Sequence, residues 1–241
     1  MISDDSTVDL SFRTVEAIAR TTAALVRSYD VIGVIGQMLA AESRALDADA
    51  AGVTMRRPGS RVLELLAATS HRAEELELYQ AQQLQGPCYD AVEFGVRVTC
   101  TDLAEIRARW PQAAPAFERA GIGCVHATPL RWHGHVIGAL NLFWVSEPPA
   151  SIRLDSAASA FADLATLAIV HSGSITGEEV VDRTRSALDS RTVIEQAKGV
   201  LAASQGMTME TAYLALVDMA EDEGMPLSAV ATSIVENAVK Q

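Results

Sequence analysis

The sequence predicts an α+β protein of two domains, in which an antiparallel sheet with helices is followed by three further helices. Short β-rich segments lie between residues 50 and 145, where Gly and Pro mark hairpin turns. After residue 178, apolar residues recur only at the three- and four-residue intervals of a helix. A chain of 241 residues is long enough for both units.

The N-terminal part of the chain is predicted to contain two helices. Val8, Phe12 and Val15 begin an apolar repeat at helical spacing, which predicts a helix over residues 6–28. We expect this helix to cover its own domain, and pairing with a second copy of the chain is the alternative. Asp30 is predicted to cap the helix that follows.

The middle of the chain alternates between strands and helices. Five segments are predicted as strands, namely 51–55, 62–69, 97–101, 124–130 and 136–145. The last strand is apolar at both parities, so we expect it to lie centrally with both faces covered. Helices are predicted over 73–83, 111–120 and 151–171.

Three helices with one small core are predicted after residue 178. Ile194, Ala197 and Leu201 form an apolar stripe on the first of them. Gly199 interrupts this helix at a cost of about 1 kcal/mol relative to alanine, so we expect a tight helix crossing there. Thr208 is predicted to cap the second helix.

Anchor residues in these helices follow a pattern more specific than periodicity. They are Arg191, Ile194, Ala197, Lys198, Gly199, Leu201, Gly206, Ala212, Tyr213, Leu216, Ala220, Leu227, Val230, Ala231, Ile234 and Val235. In this order they resemble an ANTAR domain, the three-helix RNA-binding module of bacterial antitermination regulators. The resemblance implies a dimer that binds paired RNA hairpins with small loops and so prevents a terminator from forming.

Positive charge in this region is concentrated on the first helix. Residues 178–241 contain eleven acidic and five basic residues, so RNA binding has to rest on a local basic face. We predict that Arg191 and Lys198 contact phosphates and that Arg185 extends the same face. Tyr213 is predicted to stack on an unpaired loop base, with a place in the core as the alternative.

A competing interpretation is that this module has lost its RNA face and serves protein interaction. Val217 stands where the family usually has an arginine, and residues 221–223 are all acidic. Both features remove positive charge from the surface. A dimeric sensor with a degenerate ANTAR domain is therefore the alternative function.

A second group of anchors lies in the sheet region. They are Gly86-Pro87-Cys88, Val98, Asp102-Leu103, Trp110-Pro111, Pro129-Leu130 and Ile137–Asn141. They resemble a GAF domain, a sensory module that holds small molecules between its sheet and its helices. The order of the two modules resembles the GAF–ANTAR transcription antitermination regulators of the actinobacterial type.

Four parts follow from these patterns. An N-terminal helix is predicted at 1–27, the GAF sensor domain at 28–172, a linker or signalling helix at 173–182, and the ANTAR RNA-binding domain at 183–241.

Cys88, Trp110 and Cys124 are the predicted ligand- or redox-sensing residues. Cys88 follows Gly-Pro at the start of a short helix, where the helix dipole stabilises a thiolate. The alternative is a buried, inert cysteine. The ligand and any cofactor stay unassigned, because one fold serves many ligands. Three histidines near one hairpin are not predicted to bind a metal.

The sequence predicts a regulator and not an enzyme. It contains no phosphate-binding loop, nucleophile elbow or zinc-protease motif. A less favoured alternative is a free-methionine sulfoxide reductase, because that group combines the GAF fold with three cysteines. The position of Cys124 does not match that group's pattern.

The expected location is the cytoplasm. The N-terminus lacks the basic and apolar segments of a signal peptide, and no apolar run is long enough to span a membrane. Three cysteines are an odd and sparse set that suits a reducing compartment. We expect a homodimer whose partners are RNA hairpin loops and a small molecule.

Overall fold

A five-stranded sheet organises the first domain of this computed structural model, which describes residues 3–27, 30–146, 152–170 and 177–239. The strands are β1 (Ala50–Arg56), β2 (Leu63–Ala68), β3 (Val98–Cys100), β4 (Cys124–Trp132) and β5 (His135–Trp144). Their order is β2-β1-β5-β4-β3, and all neighbours are antiparallel. The predicted α+β class with an antiparallel sheet is confirmed.

Ten helices accompany the sheet within the described ranges. They are α1 (Ser3–Arg27), α2 (Val31–Ala45), α3 (His71–Gln83), α4 (Pro87–Phe94), α5 (Leu103–Arg109), α6 (Ala114–Ala120), α7 (Ile152–Val170), α8 (Gly177–Gln205), α9 (Met209–Glu223) and α10 (Leu227–Val239). The last three form the helical region that the periodicity predicts.

Strand β5 lies between β1 and β4, and its side chains alternate between two cores. Leu140 and Leu142 join the core that includes α1, α2 and α7. Ala139 and Phe143 face the opposite core, which includes α3 to α6. The ring of Phe143 meets that of Phe117 edge to face, with 6.4 Å between centroids. The predicted central, doubly covered strand is confirmed.

Gly138 allows β5 to approach β1 closely. A Cβ atom at this position would lie 2.2 Å from the carbonyl oxygen of Thr54, which no real side chain tolerates. The backbone pairing of β5 with β1 therefore needs glycine here.

Helix α1 covers its own domain, as expected. Ala17 and Thr21 are buried, and the helix packs on α2 and α7. The opposite side of α1 carries exposed apolar residues, of which Phe12 and Val15 are 70% and 65% exposed. Between Phe12 and Val26, this face of the helix is left without a partner among the described residues.

The three C-terminal helices pack directly on the first domain. Leu188 and Ile194 of α8 belong to the same continuous core as Ile35 and Leu39 of α2. Helix α8 contacts β2, α2 and α7, and α10 also reaches α2. The expectation of a separate small core is therefore wrong, because the apolar stripe of α8 is wide enough to serve both units.

Gly199 does not mark a close helix crossing. No atom lies within 4 Å of the place where its Cβ would stand. The prediction of a tight contact is therefore wrong, and the neighbouring Ala197, which is fully buried, makes the packing contact instead.

The predicted cap at Thr208 is present. The hydroxyl of Thr208 accepts a hydrogen bond from the backbone N–H of Thr211 at 3.1 Å.

The predicted linker falls partly outside the described residues. Residues 173–176 are not described, and α8 begins at Gly177. Residues 177–182 therefore continue into the first helix of the C-terminal region without a break.

Candidate functional site

Arg191 lies where the two parts of the chain meet. Its Nη2 donates a hydrogen bond to Oε1 of Glu74 at 3.0 Å. Glu74 stands in the first turn of α3, so this ion pair joins α8 to the sheet domain. Both side chains are less than one-fifth exposed, which makes the pair stronger than an ordinary surface pair.

Lys198 follows two helical turns later on the same side of α8. Its Nζ donates to both carboxylate oxygens of Glu195, at 2.8 and 2.9 Å. Only 11% of the Lys198 side chain is exposed. The ammonium group also lies 5.8 Å from the centre of the Tyr213 ring, within the range of a cation–π contact.

Tyr213 projects from α9 toward α2. Its hydroxyl oxygen would lie 2.7 Å from a Cβ atom at Gly36, so the absent side chain makes room for the ring. Burial raises the pKa of the Tyr213 phenol, and the carboxylates of Asp30 and Glu195 raise it further. Tyr213 is therefore packed between the two parts of the chain.

A cavity of about 90 Å³ lies between these groups. Its walls are β2, the start of α3, and the facing sides of α8 and α9. The charged groups that line it include Glu74, Arg191, Glu195 and Lys198, and Tyr213 closes one side. Arg191, Lys198 and Tyr213, which the sequence predicted separately, are therefore neighbours around one space.

Arg185 stands apart from this group. It forms an ion pair with Asp182 at 3.0 Å, and more than half of each side chain is exposed. Arg185 does not line the cavity. The predicted basic face is therefore divided into the exposed Arg185 and two mostly buried cations, Arg191 and Lys198.

Asp30 connects the two parts of the chain at a second place. Its Oδ1 accepts a hydrogen bond from the backbone N–H of Gly33 at 3.3 Å, which caps α2. Its Oδ2 accepts another from the backbone N–H of Leu227 at 2.7 Å, which caps α10. The sequence predicted only the first cap, since nothing local connects Asp30 to a residue so far along the chain.

The buried Cys88 lacks the low-pKa thiolate that its helix-start position predicts. Burial raises the pKa of the Cys88 thiol well above its ordinary value, and the nearby carboxylate of Glu77 raises it further. The thiol lies inside the core, 3.9 Å from the hydroxyl of Thr54. Desolvation therefore outweighs the helix dipole.

The side chain beside Cys88 is the centre of a buried polar cluster that the sequence did not predict. Oε1 of Glu77 accepts a hydrogen bond from Asn141 at 2.6 Å, and Oε2 accepts one from Gln80 at 3.3 Å. Burial raises the pKa of Glu77 to about 7. Oδ1 of Asn141 has no hydrogen-bond partner among the described residues.

The three predicted sensing residues do not form one site. Cys88 and Trp110 belong to the core on the α3–α6 side of the sheet, whereas Cys124 belongs to the core on the α1–α2 side. Trp110 is buried and donates from Nε1 to Asp90 at 2.9 Å. Because strand residues alternate between faces, the sheet separates Cys124 from the other two.

Histidine and cysteine do not combine into a metal site in the described part of the chain, where no group of three His, Cys, Asp or Glu residues is suitably placed. His126 is buried, and burial lowers the pKa of its imidazole to about 4. Its Nδ1 shares a hydrogen bond of 2.9 Å with the hydroxyl of Thr99.

Comparison with known families agrees with this architecture. A GAF domain model matches residues 29–170, which is more than half of the chain. The chain belongs to the GAF family. An ANTAR domain model matches residues 182–235, which covers most of α8 and all of α9. The protein is therefore a GAF–ANTAR regulator.

Solved structures with the same fold support the GAF assignment. The GAF domain of the Acinetobacter phosphoenolpyruvate-protein phosphotransferase is 12% identical, with a TM-score of 0.52 over 66% of this chain and 93% of that one. Free methionine-R-sulfoxide reductase from Neisseria meningitidis is 15% identical, with a TM-score of 0.50 over 78% of this chain and 96% of that one. Identities this low show the fold alone. No curated protein matches this chain.

A GAF sensor domain joined to an ANTAR domain is the architecture of a ligand-sensing, RNA-binding regulator of transcription antitermination. This architecture is typical of a regulator and not of an enzyme. Within the described ranges, no helix combines the length and apolar character that crossing a bilayer requires.

Proposed function

We propose that this protein binds paired RNA hairpins as a homodimer through the face of the ANTAR domain that carries Arg191, Lys198 and Tyr213. The observation that carries the proposal is that these three side chains lie close together on the sides of α8 and α9 that line one cavity. Two cations beside an aromatic ring are the combination that single-stranded loops require: the cations attract phosphates, and the ring stacks on a base.

The carboxylates around this face have to change partner when RNA binds. Glu195 lies on α8 itself and neutralises Lys198. A phosphate that approaches Lys198 has to replace this pairing. Displacement of Glu195 then makes the positive charge of Lys198 available to RNA despite the acidic composition of the domain.

The homodimer is supported by the exposed stripe of α1. Phe12, Val15, Ala19, Thr22 and Val26 are all exposed and follow one another at alternating intervals of three and four residues. This spacing is that of the contact positions of a coiled coil. Two copies of α1 would cover the stripe. A seam on α8 is less suited to this role, because Thr184, Ala187 and Leu188 are buried within the same chain.

Ligand sensing is proposed for the GAF core that contains Cys88 and Trp110. This core lies between the sheet and helices α3 to α6. Cys124 lies on the other side of the sheet, in the core that includes α1, α2 and α7. A small ligand is favoured over redox sensing, since the raised pKa of the Cys88 thiol keeps it protonated and poorly reactive.

Alanine substitution at Lys198 and Arg191 tests the RNA-binding proposal. We expect Lys198→Ala and Arg191→Ala each to weaken binding to a pool of two-hairpin RNAs with randomised loops. Each variant should also lower the slope of log affinity against log salt by about 1. Arg107→Ala is the matched control, because Arg107 is an exposed, carboxylate-paired arginine on the GAF domain. Salt slopes that equal the control's would remove both residues from the site.

The alternative is that the ANTAR domain serves protein interaction. The exposed acidic residues 221–223 and the carboxylate partners of Arg191 and Lys198 favour it. Binding of total cellular RNA, measured with the same two variants, separates the two functions. A protein-interaction module gives no RNA binding that depends on Lys198.

A further inference from the structure

In addition to the apolar core that α8 shares with α2, the ANTAR domain makes three polar or aromatic contacts with the GAF domain at separate places. Asp30 accepts a hydrogen bond from the start of α10, Glu74 pairs with Arg191 of α8, and Gly36 receives the Tyr213 ring of α9. Each of the three ANTAR helices is thus held by a different GAF residue. A covalent linker alone would require none of these contacts.

The Asp30 contact places one carboxylate between two helix N-termini. The oxygen that caps α2 and the oxygen that caps α10 belong to the same side chain. Both N-termini carry positive dipole ends, which favour a negative charge between them. Separation of the domains removes the second cap and leaves the first intact.

The other two contacts use the side chains proposed for RNA. While Nη2 of Arg191 holds the Glu74 carboxylate, only 19% of the Arg191 side chain is exposed, so the docked guanidinium offers little surface to an RNA phosphate. The hydroxyl end of Tyr213 lies against Gly36 of α2, and burial by the docked domains raises the pKa of its phenol, so the GAF domain covers part of the ring that a base would need. Docking on the GAF domain and binding of RNA therefore compete for the same groups.

We propose that Asp30, Gly36 and Glu74 form a docking surface that holds the ANTAR domain in a closed state, and that RNA binds after the ANTAR domain leaves it. The RNA half of this inference rests on the proposed function, whereas the docking half does not. In a closed-to-open equilibrium, the apparent dissociation constant equals the intrinsic one divided by the open fraction. A change on the GAF side that weakens docking then tightens RNA binding, because it leaves the groups that contact RNA unchanged.

Glu74→Gln tests the docking surface from the GAF side. Glutamine keeps the size of the side chain but removes the charge that holds Arg191. Glu75→Gln is the matched control, because Glu75 is the next residue on α3 and its side chain is 71% exposed. The reporter is hydrogen exchange at the backbone amide of Leu227, which Asp30 protects on a different helix from Arg191.

We expect Glu74→Gln to speed exchange at the Leu227 amide about fivefold and to tighten binding of the two-hairpin RNA pool about fivefold. Glu75→Gln should change neither quantity. RNA added to the wild-type protein should itself speed exchange at Leu227. If these effects occur together, the Arg191–Glu74 contact and the Leu227–Asp30 contact break in the same opening event.

Asp30→Asn provides an independent variant. An asparagine offers a single acceptor oxygen, so it caps α2 or α10 but not both. Because asparagine is a good N-cap, the GAF domain keeps its stability while the link to α10 weakens. We expect the same direction of change in RNA affinity as for Glu74→Gln.

The two halves of the inference fail in different ways. If Leu227 exchange in Glu74→Gln matches that of the wild type, the docking surface is overturned, whatever the RNA results are. If exchange rises but no RNA from the pool binds any variant, the docking surface stands and the RNA-binding function falls. If RNA binds the wild type with Leu227 protection unchanged, competition between docking and RNA is excluded.

Discussion

Asp30 accepts a hydrogen bond from the backbone N–H of Leu227 at 2.7 Å, across 197 positions of the sequence. The same carboxylate caps α2 through Gly33. A single side chain at the start of the GAF domain therefore completes a helix of the ANTAR domain, and the stability of the two domains is linked.

The double cap predicts an unusually costly substitution. Asp30→Ala removes the caps of two helices at once, so we expect it to lower the free energy of unfolding by about 2 kcal/mol. Thr208→Ala, which removes the single cap of α9, should cost about 1 kcal/mol. Urea unfolding measures both. Equal losses in the two variants would show that Asp30 contributes only one cap.

The exposed stripe of α1 predicts a substitution that weakens the proposed dimer. Val15→Glu places a charge at the middle of the stripe, so we expect the dimer dissociation constant to rise about tenfold or more. Sedimentation across a concentration series measures it. Arg20→Ala is the control, because Arg20 is 70% exposed on the same helix but lies outside the stripe. An unchanged dimer in Val15→Glu would place the interface elsewhere.

Gly199 predicts a stabilising substitution. Its Cβ position is open, so Gly199→Ala should raise the free energy of unfolding by about 0.5–1 kcal/mol through helix propensity. Gly138→Ala should instead disrupt the sheet, because its methyl group would meet the Thr54 carbonyl. Thermal unfolding distinguishes the two. A destabilised Gly199→Ala would reveal a contact made by a second chain.

Glu77 predicts a pH dependence of stability. Its pKa is raised from the ordinary 4.5 to about 7, so the folded protein holds a proton that the unfolded chain releases in this window. Stability from this group is therefore present at low pH and is lost as pH rises toward 7, by roughly 2–3 kcal/mol. Unfolding free energies of the wild type and Glu77→Gln across pH test this, and the variant should lack this loss.

Two other buried groups also make stability depend on pH, so the wild type has to be compared with Glu77→Gln. Burial raises the pKa of Glu42 well above its ordinary value, which adds a slope of the same sign. Burial lowers the pKa of His126 to about 4, so its contribution has the opposite sign and is lost as pH falls through that region. Only the difference between the wild type and Glu77→Gln isolates Glu77. A difference that stays constant with pH would contradict the prediction.

Local patterns predicted the elements of this protein well. The alternation of apolar residues placed the strands, and the two-sided apolar character of β5 placed it at the centre of the sheet. The caps at Asp30 and Thr208 could be predicted because their partners lie three residues away. Interactions of this kind depend only on residues that are close together in the sequence.

Local sequence patterns predicted only part of the candidate site. Arg191, Lys198 and Tyr213 could be singled out, but not that a GAF carboxylate holds Arg191. Of the two alternatives at Cys88, the buried position favours the inert thiol over the low-pKa thiolate, and burial beside Glu77 is a tertiary property. The Glu77–Asn141 contact had no local signal, since Glu77 lies on α3 and Asn141 lies on β5, 64 positions away.

The sequence by itself determined the two-domain order, the antiparallel sheet and the presence of both families' anchor residues, because periodicity and turn chemistry act over a few residues. Only the tertiary structure decided which charges are paired, which cysteine faces which core and how the ANTAR helices lie on the GAF domain. These outcomes depend on contacts between residues far apart in the chain, and no local pattern records the desolvation or the hydrogen bonds that those contacts bring.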